Sequence, residues 1–247
     1  MLMKEVLGDG NGDPRFRTTH WSVVLVAGDQ QHSGMQEALE QLCQAYWLPV
    51  YIYIRRQVRD VNEAQDLTQE FFARMLEKRF LDHADRKRGR FRSFLLVAVR
   101  RFLSKERVKA NALKRGGGRR ILSLDFALGD RQCRGEPLDE RTAEQEFERQ
   151  YALQVFEIAH ERLRREYVQH GKEELFEQLK PLMAKSEDAP ACRTLAESLG
   201  MSEGAVKTAV YRMRQRFREI LRAEISQTVS SSEEVDDELR QLMVSLA

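Results

Sequence analysis

The sequence predicts an all-α protein made of two small helical domains joined by a flexible linker, with a helix-turn-helix in the C-terminal domain. Two observations support this fold class. Apolar residues recur at intervals of three and four through most of the chain, as in amphipathic helices, and strand-like alternation is nearly absent. The stretch 111–141 carries Gly, Pro and scattered charges between two helical blocks, which is typical of a linker.

The first helical block spans residues 35–110, after an N-terminal extension at 1–34 whose start is punctuated by Gly and Pro. Tyr51–Ile54 is ambiguous between helix and strand. Three apolar stripes of helical period define the block: Leu39, Leu42, Cys43 and Tyr46; Ala64, Leu67, Phe71 and Met75; Phe91, Phe94, Leu95, Ala98 and Phe102.

The second block, residues 142–225, contains the predicted helix-turn-helix. Ala196 is small enough for two helices to cross, Gly200 suits a turn with positive φ, and Val206 lies on the inner face of the second helix. Ser202 is the expected N-cap of that helix. A DNA-reading surface would use Ser202, Glu203, Lys207, Thr208, Tyr211, Arg212 and Arg214. The alternative is an ordinary helical hairpin with a solvated basic helix.

Positive charge is concentrated in one segment. Residues 86–120 hold fourteen Lys or Arg and one acid, whereas the formal net charge of the chain is +2. Mutual repulsion among these cations indicates a polyanionic partner. The phenylalanines interleaved with them also suit stacking on unpaired bases. We expect the phenylalanines to be mainly core and Arg92 and Arg100 to face away from them. The candidate nucleic-acid residues are Arg88, Arg90, Arg92, Phe94, Arg100 and Arg101.

The helix predicted at 62–78 has a different, acidic edge. Its carboxylates share one side beside the apolar stripe, and we expect Gln69 and Phe72 on the outer part of that face. An acidic face beside exposed aromatic surface suits a basic protein partner. The candidate protein-binding residues are Glu63, Asp66, Gln69, Glu70 and Phe72. A solvated helix with internal pairs to Arg74 and Lys78 is the equally simple alternative.

Other classes of protein lack support in the sequence. We expect no catalytic residue, metal site or cofactor, because no nucleotide-binding loop, hydrolase motif or metal-ligand spacing is present. The carboxylates of the acidic helix could be mistaken for metal ligands, but no His joins them. The three cysteines are far apart and read as free thiols of a cytoplasmic protein. No apolar run predicts a membrane span.

The order of these parts resembles the extracytoplasmic-function group of bacterial sigma-70 family factors. The stretch 63–72 is similar to that family's polymerase-binding motif, 91–95 to the start of its promoter-melting helix, and 204–208 to its −35 recognition helix. The family often has Trp where Phe94 stands and Asn where Arg101 stands.

The resemblance implies a non-enzymatic initiation factor with core RNA polymerase and promoter DNA as partners. Residues 35–110 would be sigma region 2, binding polymerase through the acidic helix and melted −10 DNA through the arginines and Phe94. Residues 142–225 would be region 4, reading −35 duplex DNA. An anti-sigma factor is a further candidate partner. The competing interpretation is a stand-alone helix-turn-helix transcriptional regulator.

Residues 226–247 form a tail that is first Ser-rich and then acidic, with a net charge of −4. Three interpretations stay open: a solvated, partly disordered tail; a flexible competitor of DNA for the arginines at 214, 216, 218 and 222, strengthened if a protein kinase phosphorylates the Ser run; or a packed helix. The packing residues of that helix would be Leu239, Leu242, Met243 and Leu246.

Overall fold

In a computed structural model the protein is all-helical, which confirms the predicted class. The structure describes residues 20–29, 31–76, 80–81, 84–85, 89–112, 124–127, 129, 141–183 and 192–247. Within these ranges the helices are α1 (Trp21–Gly28), α2 (Met35–Gln57), α3 (Val61–Leu76), α4 (Phe91–Ala112), α5 (Ala143–Gln169), α6 (Glu173–Met183), α7 (Cys192–Leu199), α8 (Glu203–Ser226), a short 3₁₀ helix (Ser232–Glu234) and α9 (Val235–Leu246).

Helix α2 is the central element of the N-terminal half. It packs against α1, α3 and α5, so side chains on several of its faces are buried. The ambiguous stretch Tyr51–Ile54 is helical and wholly buried, because neighbours cover it on every side. The rings of Tyr46 and Tyr151 stack with centroids 5.8 Å apart, and the Tyr53 hydroxyl donates to Glu144 at 3.2 Å.

Helix α5 begins where the sequence predicts, at a capping box. Thr142 accepts a hydrogen bond from the Gln145 backbone amide, and the Gln145 side chain accepts one from the Thr142 amide. The helix packs against α2, α6, α8 and α9, and thus contacts both halves of the chain. One hydrophobic cluster includes residues from both halves, so the division into two domains stays a prediction.

Helices α7 and α8 are joined by residues 200–202 and pack against each other. Gly200 has a φ of +62°, a left-handed conformation that favours glycine. Ser202 caps α8 by accepting a hydrogen bond from the Ala205 amide at 3.2 Å. Ala196 and Val206 are both buried. The positive φ at Gly200, the cap at Ser202 and the burial of Val206 are therefore confirmed, whereas the helix-turn-helix itself stays a prediction.

The C-terminal residues form a packed helix instead of a disordered tail. Val235, Leu242 and Leu246 are buried, Leu239 is half-buried and Met243 is exposed. Helix α9 lies against α5 and α8, whose apolar surfaces supply the burial that a free tail would lack. The disordered-tail interpretation is wrong for this segment, and the packed-helix interpretation is confirmed except at Met243.

Candidate nucleic-acid interface

A groove of about 810 Å³ lies between α1, α3 and α4. Its lining is mainly aromatic and apolar, with cationic side chains around it and one acid, Asp85, among the residues that form it. The aromatic lining residues are Trp21, Phe71, Phe80, Phe94 and Phe102, and the cationic ones are Arg74, Arg90, Arg101 and Lys105. A flat apolar surface beside guanidinium groups can hold an unpaired base and its phosphate.

The phenylalanines of α4 divide between core and groove. Phe91 and Phe102 are buried, whereas Phe94 is half-buried and in contact with Phe80 and Phe91, at centroid distances of 5.9 and 5.8 Å. The expectation that these aromatics are mainly core is confirmed for two of the three. Phe94 is the one whose position leaves part of its ring available to a ligand.

Of the arginines predicted on α4, Arg100 and Arg101 are exposed, and Lys105 extends the cationic surface by one turn. Val97 is also exposed and lies among them. This surface carries positive charge next to the groove, as nucleic-acid binding requires. The sequence did not single out Lys105, although its spacing of four from Arg101 places both on one helix face. Arg88 lies outside the described residues.

The prediction that Arg92 faces solvent is wrong. Arg92 is buried, with two 2.9 Å hydrogen bonds to Glu238, an ion pair with Glu148 and a position over the Tyr151 ring. Carboxylates from α5 and α9 enclose Arg92 at the first turn of α4, whereas Arg100, further along the helix, stays exposed. Arg90 lies at the groove but is also paired, through its Nε at 2.7 Å from Glu238.

The outer face of α8 presents a contiguous set of exposed polar side chains. Tyr211 is 63% exposed, an unusual degree for a large aromatic. The other exposed members are Ser202, Glu203, Lys207, Thr208 and Arg212. Lys207 and Glu203 form an exposed pair at 3.8 Å, and the Thr208 hydroxyl donates to the Gly204 carbonyl. Such a face offers donors, acceptors and charge along one side of a helix.

Arg214 is half-buried, unlike the other exposed residues of the predicted DNA-reading surface. Its guanidinium donates to the Leu182 carbonyl at the end of α6, which holds the side chain toward α6. Arg216 forms a two-point pair with Glu166 at 2.7 and 2.8 Å. Hydrogen bonds from Arg216 hold the pKa of Glu166 below its usual value. Arg218 is exposed and contacts Gln215.

The acidic edge of α3 is smaller than predicted. Glu63 and Asp66 are exposed, but Gln69 and Phe72 are buried, which contradicts their expected outward position. Phe72 packs edge-on against Phe71 at 5.5 Å, inside the shared core. The surface therefore retains the carboxylates and loses the exposed aromatic. Gln69 and Phe72 are buried because both α2 and α4 pack against α3.

Glu70 belongs to an ion-pair network that joins α3 to α4. Its carboxylate accepts a 2.9 Å hydrogen bond from Arg74, which also pairs with Glu106 on α4 at 2.8 Å and lies over the Phe102 ring. This arrangement matches the internal-pair alternative for the helix. Glu70 is still partly exposed and stays a candidate contact.

Three further sequence predictions concern metal ions, membrane spans and cysteines. Among these residues, no group of three or more His, Cys, Asp or Glu is placed to hold a metal ion. No described helix combines the length and apolar character needed to cross a bilayer. Cys43 and Cys192 are free thiols, as predicted, and burial raises the pKa of Cys43 to about 12.

No protein-family model, curated protein or solved structure matches the chain.

The Arg90, Arg92 and Glu238 cluster is the main feature that sequence reasoning missed. Glu238 lies about 150 positions after the two arginines, and no local sequence spacing connects them. In the sequence, the last residues of the chain combine an acidic run with apolar residues at helical spacing. That pattern indicates a helix but not the surface on which it packs.

Proposed function

We propose that the protein is a sigma-type transcription initiation factor that recruits core RNA polymerase to promoters. The observation that carries the proposal is the presence of two separate exposed cationic surfaces, one on α4 beside an aromatic groove and one on α8 after a three-residue turn. A groove for unpaired bases together with a helix suited to a major groove fits a protein that holds melted and duplex DNA at once.

In this proposal the α7–α8 pair is a helix-turn-helix. Lys207, Tyr211 and Arg212 would contact base edges of the −35 duplex, and Arg218 its phosphates. The groove residues Phe94 and Arg101 would hold the melted −10 strand. Glu63 and Asp66, the exposed carboxylates of α3, would bind a basic surface of the polymerase.

A stand-alone DNA-binding regulator is the second candidate. It is favoured by the burial of Gln69 and Phe72, which removes two of the five residues expected to bind polymerase. A regulator of this kind would bind duplex DNA through α8 and would need neither the groove nor the acidic edge of α3.

The deciding experiment is co-purification of the tagged full-length chain with core RNA polymerase, followed by run-off transcription on a genomic library. Stable polymerase binding and new start sites are expected of a sigma factor. Duplex DNA binding without polymerase binding would contradict the proposal and favour the regulator. Arg101→Glu, which reverses charge at the groove, should abolish start-site opening while leaving polymerase binding intact.

A further inference from the structure

We propose that the acidic helix α9 is a built-in competitor of DNA phosphate, occupying one arginine on α8 and one directly before α4, the two helices assigned to DNA. The inference rests on the proposed function, because it concerns regulation of the same two surfaces. Asp236 pairs with Arg222 of α8, and Glu238 pairs with Arg90 at the start of α4. A single helix thus contacts both cationic elements at once.

The α4 half of this contact is tight and buried. Glu238 is only 1% exposed and accepts hydrogen bonds from both Arg90 and Arg92. Gln241, one turn further along α9, accepts another from Arg90. Arg90 also lines the groove, so the carboxylate lies beside the place where a DNA phosphate would sit. A phosphate approaching Arg90 must therefore replace or repel a carboxylate.

The α8 half of the contact is exposed. Arg222 and Asp236 are both open to solvent, and the hydrogen bond from Arg222 lowers the pKa of Asp236. Arg222 lies on the same helix as Lys207 and Arg212, about three turns beyond Arg212. Phosphate contacts near the far end of a recognition helix position it on DNA without reading sequence. Asp236 occupies the arginine suited to that role.

Apolar packing keeps the competitor in place. Val235, Leu242 and Leu246 anchor α9 on the body of the protein, with Glu238 buried on the same face, while Asp236 and Asp237 are exposed. The tether makes the local concentration of carboxylate high and independent of the protein concentration. The competition is therefore an exchange of side-chain partners, with α9 docked throughout. The free chain binds DNA weakly until a partner or a high-affinity site outcompetes the carboxylates.

The test is an affinity and salt series on the full chain, with a fluorescent random-sequence duplex and the matching single strand as probes. Asp236→Asn frees Arg222 and should tighten duplex binding about threefold to fivefold at low salt. It should also steepen the dependence of log affinity on log salt by about 0.9. Glu238→Gln removes the negative charge paired with Arg90 and should act on the single strand, with a slope change of about 0.7.

Matched controls remove the same charge without altering a partner of Arg90 or Arg222. Asp237→Asn lies next to Asp236, but its carboxylate bonds Arg240 of the same helix. Glu233→Gln is the exposed counterpart of Glu238→Gln. Circular dichroism and thermal unfolding check that each variant is folded. Should Glu238→Gln prove unstable, the exposed Asp236→Asn still tests the competition on α8.

The outcomes separate the two proposals. A larger gain for each variant than for its control, with the steeper salt slope, supports the competitor. Equal affinity and slope for Asp236→Asn and Asp237→Asn, while the wild type binds DNA, would overturn the competitor alone. Failure of the wild type and all variants to bind either probe would overturn the proposed function, and the competitor with it.

Discussion

The guanidinium of Arg92 makes two hydrogen bonds of 2.9 Å to the carboxylate of Glu238, which lies 146 positions further along the chain. Both side chains are almost fully buried. The pair joins the start of α4 to the C-terminal helix α9, and Glu148 of α5 completes it. A buried ion pair of this kind fixes which surfaces meet, because either charge alone would be very unfavourable in the interior.

We expect that removing one partner of this pair destabilises the protein more than removing both. Arg92→Met or Glu238→Leu alone leaves a buried charge with fewer partners and should lower the free energy of unfolding by about 3 to 5 kcal/mol. The double variant should lose less than either single variant, because it leaves neither of these two charges buried without the other. Urea unfolding of the four proteins measures the coupling. The exposed pair Asp237 and Arg240 is the control, and an equally small coupling at both pairs would contradict the prediction.

The acidic edge of α3 should bind polymerase through its exposed carboxylates. Asp66→Lys should abolish co-purification with core polymerase without changing stability, because charge reversal opposes a basic partner at an exposed site. Phe72→Ala should instead cost about 3 to 5 kcal/mol of stability, because the ring is buried. Glu174→Lys, an exposed reversal on α6, is the control. Normal polymerase binding by Asp66→Lys would place the docking surface elsewhere.

The arginines of α8 should fall into functional classes according to their surroundings. Arg212→Ala should weaken specific duplex binding by about 1–3 kcal/mol and relax preference at one base position. Arg218→Ala should weaken all sequences alike. Arg214→Ala should reduce stability and leave sequence preference unchanged, because its guanidinium bonds the Leu182 carbonyl. Binding to a library of duplexes, with thermal unfolding, distinguishes the three. Identical profiles would show that α8 supplies only charge.

His160 should make the protein sensitive to acid. Burial, followed by the positive charges of Lys180 and Arg164, lowers the pKa of His160 to about 4. Between pH 6.5 and 4 the unfolded chain binds a proton that the folded chain does not, so stability is lost as pH falls through this window. The full loss is on the order of 3 kcal/mol.

His160→Leu should remove that component. The measurement is the urea midpoint at several pH values between 7 and 4, compared among wild type, His160→Leu and the exposed control His170→Gln. Wild type and the His170 variant should lose stability in parallel, and His160→Leu less steeply. A wild-type slope matched by His160→Leu would show that other groups govern the acid response.

Local features of the fold could be predicted because they depend on residues a few positions apart. The capping box at Thr142 and Gln145, the cap at Ser202 and the turn at Gly200 each follow from side-chain chemistry and backbone sterics within one helical turn. The all-helical class follows from the period of the apolar residues. The same reasoning identified the exposed face of α8, since a buried stripe determines the opposite side.

Only the tertiary structure decided which charged and polar side chains stay in water. Gln69 and Arg92 were expected outside and are buried, and Arg214 was expected to face DNA and instead bonds the end of α6. A helical wheel gives the angle between side chains but not how many of a helix's faces are covered. Helices α3 and α4 are covered on more than one side, by elements as distant in sequence as α9. Long-range packing therefore turned one predicted DNA contact, Arg92, into a member of a buried ion pair, because a guanidinium removed from water needs a carboxylate that no local pattern specifies.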